Sequence, residues 1–443
     1  MTARLSDASW REPAYDRGAV RRGVVHLGLG AFHRAHQAPV FDALIAGGDV
    51  RWGIVGVAMR SPDLVAALAA QDGLYSLTVR GGPIASPQVI GALAALHVAA
   101  REPEAVIAAI AGADTQLVTL TVTEKGYLDH GDGSPAGLIA RALDRRRQSG
   151  LGPITMMSCD NRAGNGPFAR DAVLAAAQAA GIADIGLHWI AEDNAFPSTM
   201  VDRITPATTP AMIDETSTAL GLRDEAAVWT EPFWQWVVED RFAAARPDLA
   251  AHGVQLAADV EPWEKAKLRL LNAGHSTLAY AGLLRGHGYV HQAIGDAGLA
   301  RLVGALWDEA AETIDRSVVD VPAYRAALVR RFANPELHHA LIQIAADGSQ
   351  KMPPRLLATM AERAGRGLAS PALAIAVAAW MLALGRVDGL VDPMLSDLQA
   401  LARRDAPAAA LLARIGSRES LAYEIGAALD RLRISGAGSD LAA

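Results

Sequence analysis

Lys267, Asn272 and His275 follow one another at spacings of five and three residues within one leucine-rich segment. At 100° per residue of an α-helix they fall within an arc of about 140°, which also includes Glu264. A helix face that places a base, an amide and an imidazole beside an apolar run suits neither solvent nor a hydrophobic core. The pattern therefore predicts the wall of a polar active site. Because helix phase does not show which way the face points, a solvated lysine and locally bonded polar side chains remain the alternative.

A glycine-containing loop near the N-terminus predicts a nucleotide site. Gly28-Leu-Gly30-Ala-Phe32-His33 follows an apolar segment and precedes a helical one, which is the context of a dinucleotide-binding loop. Gly28 permits the tight turn, and Gly30 lets the backbone approach a pyrophosphate at the helix N-terminus. The third glycine position of the usual motif holds His33, so we expect looser packing of helix on strand there. These four residues are the predicted cofactor contacts of the loop.

The residues after the second predicted strand bear on the choice of cofactor. An acidic side chain at this place binds the ribose hydroxyls of NAD. Asp63 lies six residues past Val57, and Arg60 stands between them. Asp63 favours NAD, whereas Arg60 would suit the 2′-phosphate of NADP. Alternatively, both are surface residues of a loop and bind no cofactor. We predict both as cofactor-binding residues and NAD as the cofactor, with NADP the less favoured choice.

The elements that must position these residues alternate in the N-terminal half. Apolar segments that predict strands occupy residues 23–28, 52–57, 74–80, 116–123 and 153–159. Alanine-rich helical stretches such as 103–111 lie between them, so we predict an α/β domain with a Rossmann-like, doubly wound parallel sheet. From about residue 260 amphipathic helical segments dominate, at 263–284, 299–315, 324–332, 371–384 and 397–413.

Length and composition set the organisation. At 443 residues the chain is longer than chains that usually fold around a single hydrophobic core. We therefore predict a dinucleotide-binding domain over residues 1–256 and a mostly α-helical substrate domain over 257–443. The segment containing Lys267 would then open the second domain and face the first across a cleft.

Charge, cysteine and hydropathy patterns exclude several classes of protein. The net charge of −7 argues against a general nucleic-acid binder. The single cysteine, Cys159, permits no intrachain disulfide and no cysteine-based zinc site. The pair His33 and His36 lacks a third ligand motif, so no metal is expected. No signal peptide is recognisable, and the longest apolar run, 371–384, is shorter than the roughly 20 residues that span a bilayer. We expect a cytoplasmic protein without a membrane partner.

Several strings, in order over nearly the whole chain, resemble one family, the polyol-specific long-chain dehydrogenases or mannitol dehydrogenase family. They are 28–37 (GLGAFHRAHQ), 121–127 (TVTEKGY), 158–161 (SCDN) with 165–166 (NG), 196–204 (FPSTMVDRI), 231–233 (EPF), the Lys267, Asn272 and His275 set, and 347–351 (DGSQK).

The resemblance implies oxidation of a secondary alcohol by NAD(P) without a metal. Lys267 would be the general acid/base, Asn161 and Asn272 the donors to the reacting oxygen, and His275 a group that orients the substrate. A free lysine has a pKa of about 10.4, so a lysine base requires surroundings that lower it, such as a closed cleft and a positively charged nicotinamide. Glu264 would pass the proton to water, or would form an ordinary i,i+3 pair with Lys267.

Other matches imply further contacts. Asp202 and Arg203 would lie near the substrate or support the catalytic residues. Lys351 would contact distal hydroxyls, with Gln343 also placed at the substrate and Glu124 at the cofactor. One departure is Ala273-Gly274, where the family pattern has Gly-Ser, and it affects how the turn between Asn272 and His275 packs.

Two short strings, 124–127 and 343–355, indicate which substrate the enzyme uses. Both are more similar to the family's uronate-reducing branch than to its mannitol or arabinitol branches. Lys125, Lys351 and Arg355 offer cations for a substrate carboxylate, unless they are surface charges. The expected small-molecule partner is a sugar acid or, alternatively, a polyol. We expect a monomer or weak dimer.

Overall fold

The computed structural model describes Leu5, residues 13–81 and residues 86–434, except for the side chains of 123–125. These residues form two compact units, Met1–Glu261 and Pro262–Ala443. The boundary predicted after residue 256 falls shortly before this division. Each unit has its own core of buried apolar side chains.

The N-terminal unit contains every strand of the described chain. They are β1 Val24–Leu27, β2 Ile54–Ala58, β3 Tyr75–Val79, β4 Gln88–Ile90, β5 Leu93–Val98, β6 Leu117–Leu120, β7 Thr155–Ser158, β8 Thr199–Asp202, β9 Val228–Thr230, β10 Gln235–Glu239 and β11 Gln255–Ala257.

A five-stranded sheet in the order β5-β2-β1-β6-β7 is parallel throughout. Its strands are covered on both faces, because consecutive residues belong to different cores. Val24 packs into one cluster, whereas Val25 and Leu27 pack into the other. A parallel sheet buried on both sides is the doubly wound arrangement that the alternating sequence predicts, so the Rossmann-like fold is confirmed.

Helices connect these strands: α1 Ala31–His36, α2 Ala38–Ala46, α3 Asp63–Ala69, α4 Pro103–Ala111, α5 Thr123–Leu128, α6 Pro135–Gln148, α7 Asn165–Ala179, α8 Asp184–Glu192 and α9 Pro210–Leu220. Local signals explain their ends. In α6, the hydroxyl of Ser134 accepts a hydrogen bond from the Gly137 amide at 3.0 Å, a proline takes the first position, and three arginines stand in the last turn.

The third predicted strand does not belong to the parallel sheet. β3 pairs antiparallel with β4 and parallel with β9 in a separate three-stranded sheet, and β5 lies next to β2 in its place. β10, β8 and β11 form a third sheet. The sequence of β5, Leu-Ala-Ala-Leu-His-Val, carries two helix-favouring alanines and no clear alternation. Pairing with β2 therefore decides its conformation.

The C-terminal unit is helical in every regular element that the structure describes. The α-helices are α10 Glu261–Ala266, α11 Ala273–Leu284, α12 Val290–Gly295, α13 Ala297–Ala311, α14 Val321–Phe332, α15 Leu341–Ile344, α16 Gly348–Met352, α17 Ala358–Gly365, α18 Pro371–Arg386, α19 Leu395–Ala402, α20 Pro407–Arg414 and α21 Ala422–Ile434. Two π-helices, Lys267–Asn272 and Pro353–Leu357, interrupt the α-helical runs.

Two predicted helices are divided. The segment 263–284 is α10, a π-helix and α11 rather than one α-helix. The segment 397–413 breaks before Pro407, which begins α20, because proline cannot continue the preceding helix. α18, the longest apolar run, is buried over nearly its whole length and forms the centre of the core. None of the helices in the described ranges is long and apolar enough to cross a bilayer.

Candidate active site

The glycine loop follows β1 directly. Gly28 has φ +99°, and a Cβ there would lie 2.2 Å from the carbonyl oxygen of Thr121, so only glycine fits. The Thr121 hydroxyl donates to the Gly28 carbonyl at 2.9 Å and fixes the turn. Gly30 caps α1, and a Cβ there would meet only the Gly28 carbonyl, at 3.6 Å. This open backbone at a helix start fits a dinucleotide pyrophosphate.

His33 lies in the first turn of α1, and its side chain packs against β1. The side chain is fully buried, and its ring stacks on that of His26 in β1 with 3.4 Å between centroids. The two ring nitrogens of His26 bond the hydroxyls of Thr119 and Thr121 at 2.8 and 3.0 Å. Burial lowers the pKa of His26 to about 3 and holds the pKa of His33 well below its usual value. The third glycine of the usual motif lets the helix pack closely on the strand. Here two neutral imidazoles, one from β1 and one from α1, are stacked between the two elements.

The other predicted cofactor residues lie around the ends of α1 and β2. Phe32 is half-buried, with its ring 4.9 Å from that of His36. Arg60 follows the end of β2 and is exposed. Asp63 begins α3, is exposed, and accepts a hydrogen bond from the Ser61 hydroxyl at 2.9 Å. The side chains of Glu124 and Lys125 lie outside the described residues.

Asn161 follows β7 at the carboxyl end of the parallel sheet and is exposed. A buried network holds the preceding residue, and it is one that the sequence analysis missed. The Tyr127 hydroxyl donates to a carboxylate oxygen of Asp160 at 2.6 Å, and the same oxygen accepts from the Val122 amide at 3.2 Å. The Asn165 amide donates to the Asp160 carbonyl at 3.0 Å. These contacts fix the backbone from which Asn161 projects; the strings 121–127 and 158–166 already contained them.

Asp202 is the last residue of β8 and is buried, and Arg203 follows it and is half-buried. The Arg203 guanidinium donates to the Glu231 carbonyl at 3.2 and 3.1 Å and to the Ala35 carbonyl at 2.5 Å. Burial lowers its pKa to about 10. Arg203 therefore ties α1 to the segment after β9. Glu231 completes the link by accepting from the Ile204 amide at 2.6 Å.

Lys267 and Asn272 are the first and last residues of a π-helix. In a π-turn the hydrogen bonds run from i to i+5, so residues five apart lie almost above one another; in an α-helix they would be about 140° apart. Lys267, Asn272 and His275 are each only 7–9% exposed. The irregular turn therefore brings Lys267 and Asn272 closer to one face than α-helical spacing predicts. Such turns are frequent at functional sites.

His275 presents an unused nitrogen. Its Nε2 is buried and has no hydrogen-bond partner within the described residues. Its ring packs on Phe332 with 4.4 Å between centroids and meets His339 edge-on at 5.2 Å. Burial, followed by the charges of His339, Arg331 and Arg355, holds the pKa of His275 well below its usual value. A neutral imidazole of this kind can exchange a hydrogen bond with a substrate hydroxyl.

Two basic side chains, Lys351 in α16 and Arg355 in the second π-helix, lie four residues apart and contact different helices. The Arg355 guanidinium donates to the Ser276 hydroxyl at 3.1 Å and to the Asn272 carbonyl at 3.4 Å. The Lys351 ammonium donates to the Ile344 carbonyl at 3.2 Å. Burial and then the charge of Arg355 lower the pKa of Lys351, and burial lowers that of Arg355 to about 10.

Gln343 and Glu264 occupy more open positions. Gln343 is exposed on α15, and Glu264 is half-buried on α10. The neighbouring cations Lys265 and Arg269 pair with Glu362 at 3.2 and 2.6 Å. The described side chains include no cluster of three or more His, Cys, Asp or Glu suited to a metal.

The fold and these side chains define a class: a two-domain dehydrogenase with a nicotinamide-binding Rossmann-like unit and a helical unit that carries a Lys-Asn-His face. The Mannitol dehydrogenase Rossmann domain matches residues 22–251, and the Mannitol dehydrogenase C-terminal domain matches residues 259–419. The chain therefore belongs to the mannitol dehydrogenase family and is an oxidoreductase of the class that acts on secondary alcohols.

Individual relatives differ in the substrates that they are named for. D-mannonate oxidoreductase of Escherichia coli is 40% identical over 87% of this chain and 86% of its own length. Mannitol 2-dehydrogenase of Phaeosphaeria nodorum is 38% identical over 88% of this chain and 74% of its own length. The structure of Pseudomonas fluorescens mannitol 2-dehydrogenase in a ternary complex with NAD and D-mannitol superposes with a TM-score of 0.85 at 34% identity, and covers 97% of this chain and 95% of its own.

Proposed function

We propose that this enzyme interconverts D-mannonate and D-fructuronate by hydride transfer at a secondary alcohol, with NAD as the cofactor. The observation that carries the proposal is the pair Lys351 and Arg355. Both are partly buried, each donates only to uncharged oxygens, and neither forms an ion pair within the described residues. Two partly buried cations that form no ion pair are stabilised by an anion, and a sugar-acid carboxylate supplies one. A neutral polyol does not.

The proposed mechanism assigns one task to each side chain. A bound nicotinamide supplies the hydride acceptor or donor. In the oxidation direction neutral Lys267 takes the hydroxyl proton as the carbon–hydrogen bond breaks. Asn161 and Asn272 donate to the oxygen as it gains negative charge, a role suited to an amide because it does not titrate. His275 Nε2 orients a neighbouring hydroxyl, and Glu264 passes the proton from Lys267 to water.

The remaining predicted contacts complete the proposal. Asp202 and Arg203 lie near the substrate or support the catalytic residues, and Gln343 and Lys125 contribute further polar contacts to the substrate. Asp63 favours NAD, because its exposed carboxylate follows the second strand where ribose hydroxyls are bound. Arg60 is the feature that would favour NADP. The Pseudomonas fluorescens relative, solved with NAD, supports the first choice.

A mannitol 2-dehydrogenase or a D-arabinitol 4-dehydrogenase is the second candidate. Relatives named for mannitol are nearly as similar to the chain as the D-mannonate oxidoreductase is. In that case Lys351 would donate to distal hydroxyls and not to a carboxylate, while Lys267, Asn272 and His275 would keep their tasks.

The test follows NADH oxidation at 340 nm with D-fructuronate and, in parallel, D-fructose, then repeats both with NADPH. Turnover with D-fructuronate and NADH supports the proposal. Turnover with D-fructose alone moves the assignment to the polyol branch, and a clear preference for NADPH would contradict the choice of NAD.

Two lysine variants show whether the carboxylate is bound as proposed. Lys351→Gln should raise the KM for D-fructuronate by about 10- to 100-fold, the value of a hydrogen bond to a charged group. Lys265→Gln is the matched control, because Lys265 is also partly buried but pairs with Glu362. An equal KM change in both variants would contradict a carboxylate site at Lys351.

A further inference from the structure

Trp307 contacts the π-helix that carries Lys267 and Asn272. It stands on α13, is 3% exposed, and donates its indole N–H to the Leu270 carbonyl at 2.8 Å. Leu270 lies inside the π-turn, between the two proposed catalytic side chains. A side chain that hydrogen-bonds a helix carbonyl competes with the regular ladder and favours a local irregularity.

Gly274 makes room for this contact. A Cβ at Gly274 would lie 3.1 Å from the indole nitrogen of Trp307 and 3.4 Å from Phe332. Gly274 has ordinary helical backbone, so its lack of a side chain matters for space and not for a positive φ. The two residues that differ from the family pattern, Ala273-Gly274, thus lie where the indole approaches the helix.

The indole of Trp307 is also linked to His275, through the ring of Phe332 that packs between them. Trp307 packs on Phe332 with 6.1 Å between ring centroids, and Phe332 packs on His275 at 4.4 Å. Trp307 is therefore linked to both parts of the proposed site. Its N–H bonds the turn between Lys267 and Asn272, and its ring packs on Phe332, which in turn packs on His275.

We infer that Trp307 is a positioning residue for the reaction, which holds the π-turn in the geometry that sets Lys267 against Asn272, with Gly274 as the space it requires. The inference rests on the proposed function, because it takes Lys267 as the acid/base. Loss of the indole N–H lets the turn relax toward α-helical spacing, and small displacements of a catalytic group cost large factors in rate.

The test compares Trp307→Phe with Trp229→Phe. Trp229 is 8% exposed and donates its indole N–H to the Thr216 hydroxyl at 2.8 Å in the other unit, so both variants lose a buried hydrogen bond of equal length. Trp307→Phe should lower kcat about tenfold or more and leave the KM for NADH within about twofold. Trp229→Phe should lower Tm without these changes.

Gly274→Ala separates positioning from folding. Alanine has the higher helix propensity, so Tm should not fall for that reason, yet the Cβ should displace the indole and lower kcat. In the Trp307→Phe background the smaller ring leaves space, so the second change should cost less than it does alone.

Unchanged kcat in both Trp307→Phe and Gly274→Ala, in an enzyme that turns over its substrate, would overturn the positioning role alone. A wild-type protein that reduces no sugar or sugar acid would overturn the proposed function and this inference with it.

Discussion

Burial gives the proposed catalytic side chains their protonation states at the residue scale. His275 is kept neutral by burial, and the amide of Asn272 does not titrate. Burial also lowers the pKa values of Lys351 and Arg355. Near neutral pH the proposed site thus combines a neutral imidazole and an amide with basic side chains, a set that suits the proposed reduction of a sugar acid.

Lys267→Met tests the proposed acid/base directly. Loss of a positioned acid/base should lower kcat by about 10²- to 10⁴-fold. The affinity for NADH should stay near that of the wild type, because the nucleotide site belongs to the other unit. Steady-state rates at 340 nm and a fluorescence titration with NADH measure the two quantities.

Lys265→Met is the control for that variant, since Lys265 pairs with Glu362. Near-wild-type turnover of Lys267→Met would show that another group moves the proton.

At the scale of elements, irregular backbone geometry positions the residues of the proposed site. A left-handed glycine turns β1 into α1, and a π-helix aligns Lys267 with Asn272. In both cases the backbone departs from regular geometry where a ligand or a reacting atom is proposed to lie. Such departures persist because neighbouring groups, Thr121 in one case and Trp307 in the other, hold them.

Gly28→Ala should abolish NADH binding, because its Cβ would collide with the Thr121 carbonyl at 2.2 Å in addition to straining φ +99°. Gly48→Ala is a matched control: Gly48 has φ +101° but nothing within 4 Å of a Cβ. It carries only the conformational strain, of order 1 kcal/mol, and should bind NADH normally. A fluorescence titration compares the two, and equal affinities would count against a nucleotide site at this loop.

Buried histidines link the stability of the whole molecule to pH. The pKa of His26 is lowered to about 3 and that of His339 to about 4, one in each unit. Between these values and the unfolded value of about 6.5, the unfolded chain binds protons that the folded chain does not. Their contribution is therefore fully present above about pH 6.5 and is lost as the pH falls toward 3–4.

Thermal unfolding between pH 7.5 and 4 should show Tm falling below about pH 6.5. His33→Leu should flatten the fall, because it removes one buried imidazole whose pKa is lowered by burial. His188→Leu, at an exposed position on α8, should leave the slope unchanged. Identical slopes for both variants would contradict the role of the stacked pair.

The sequence by itself predicted the fold class, the helical second half and the family, because these depend on local period and on strings of adjacent residues. It also singled out Lys267, Asn272 and His275, whose spacing lies within one segment. It did not predict that β5 takes the place of β3 in the parallel sheet, since strand pairing depends on residues far apart in the chain.

Only the tertiary structure decided how polar side chains are used. His33 stacks on His26, and Arg203 donates to the carbonyls of Ala35 and Glu231, contacts that join residues distant in the sequence. The π-turn likewise depends on Trp307, which lies 37 residues from Leu270 in the sequence. Adjacent residues set a helix period, but the partner of a buried polar group is set by packing, and packing brings together distant parts of the chain.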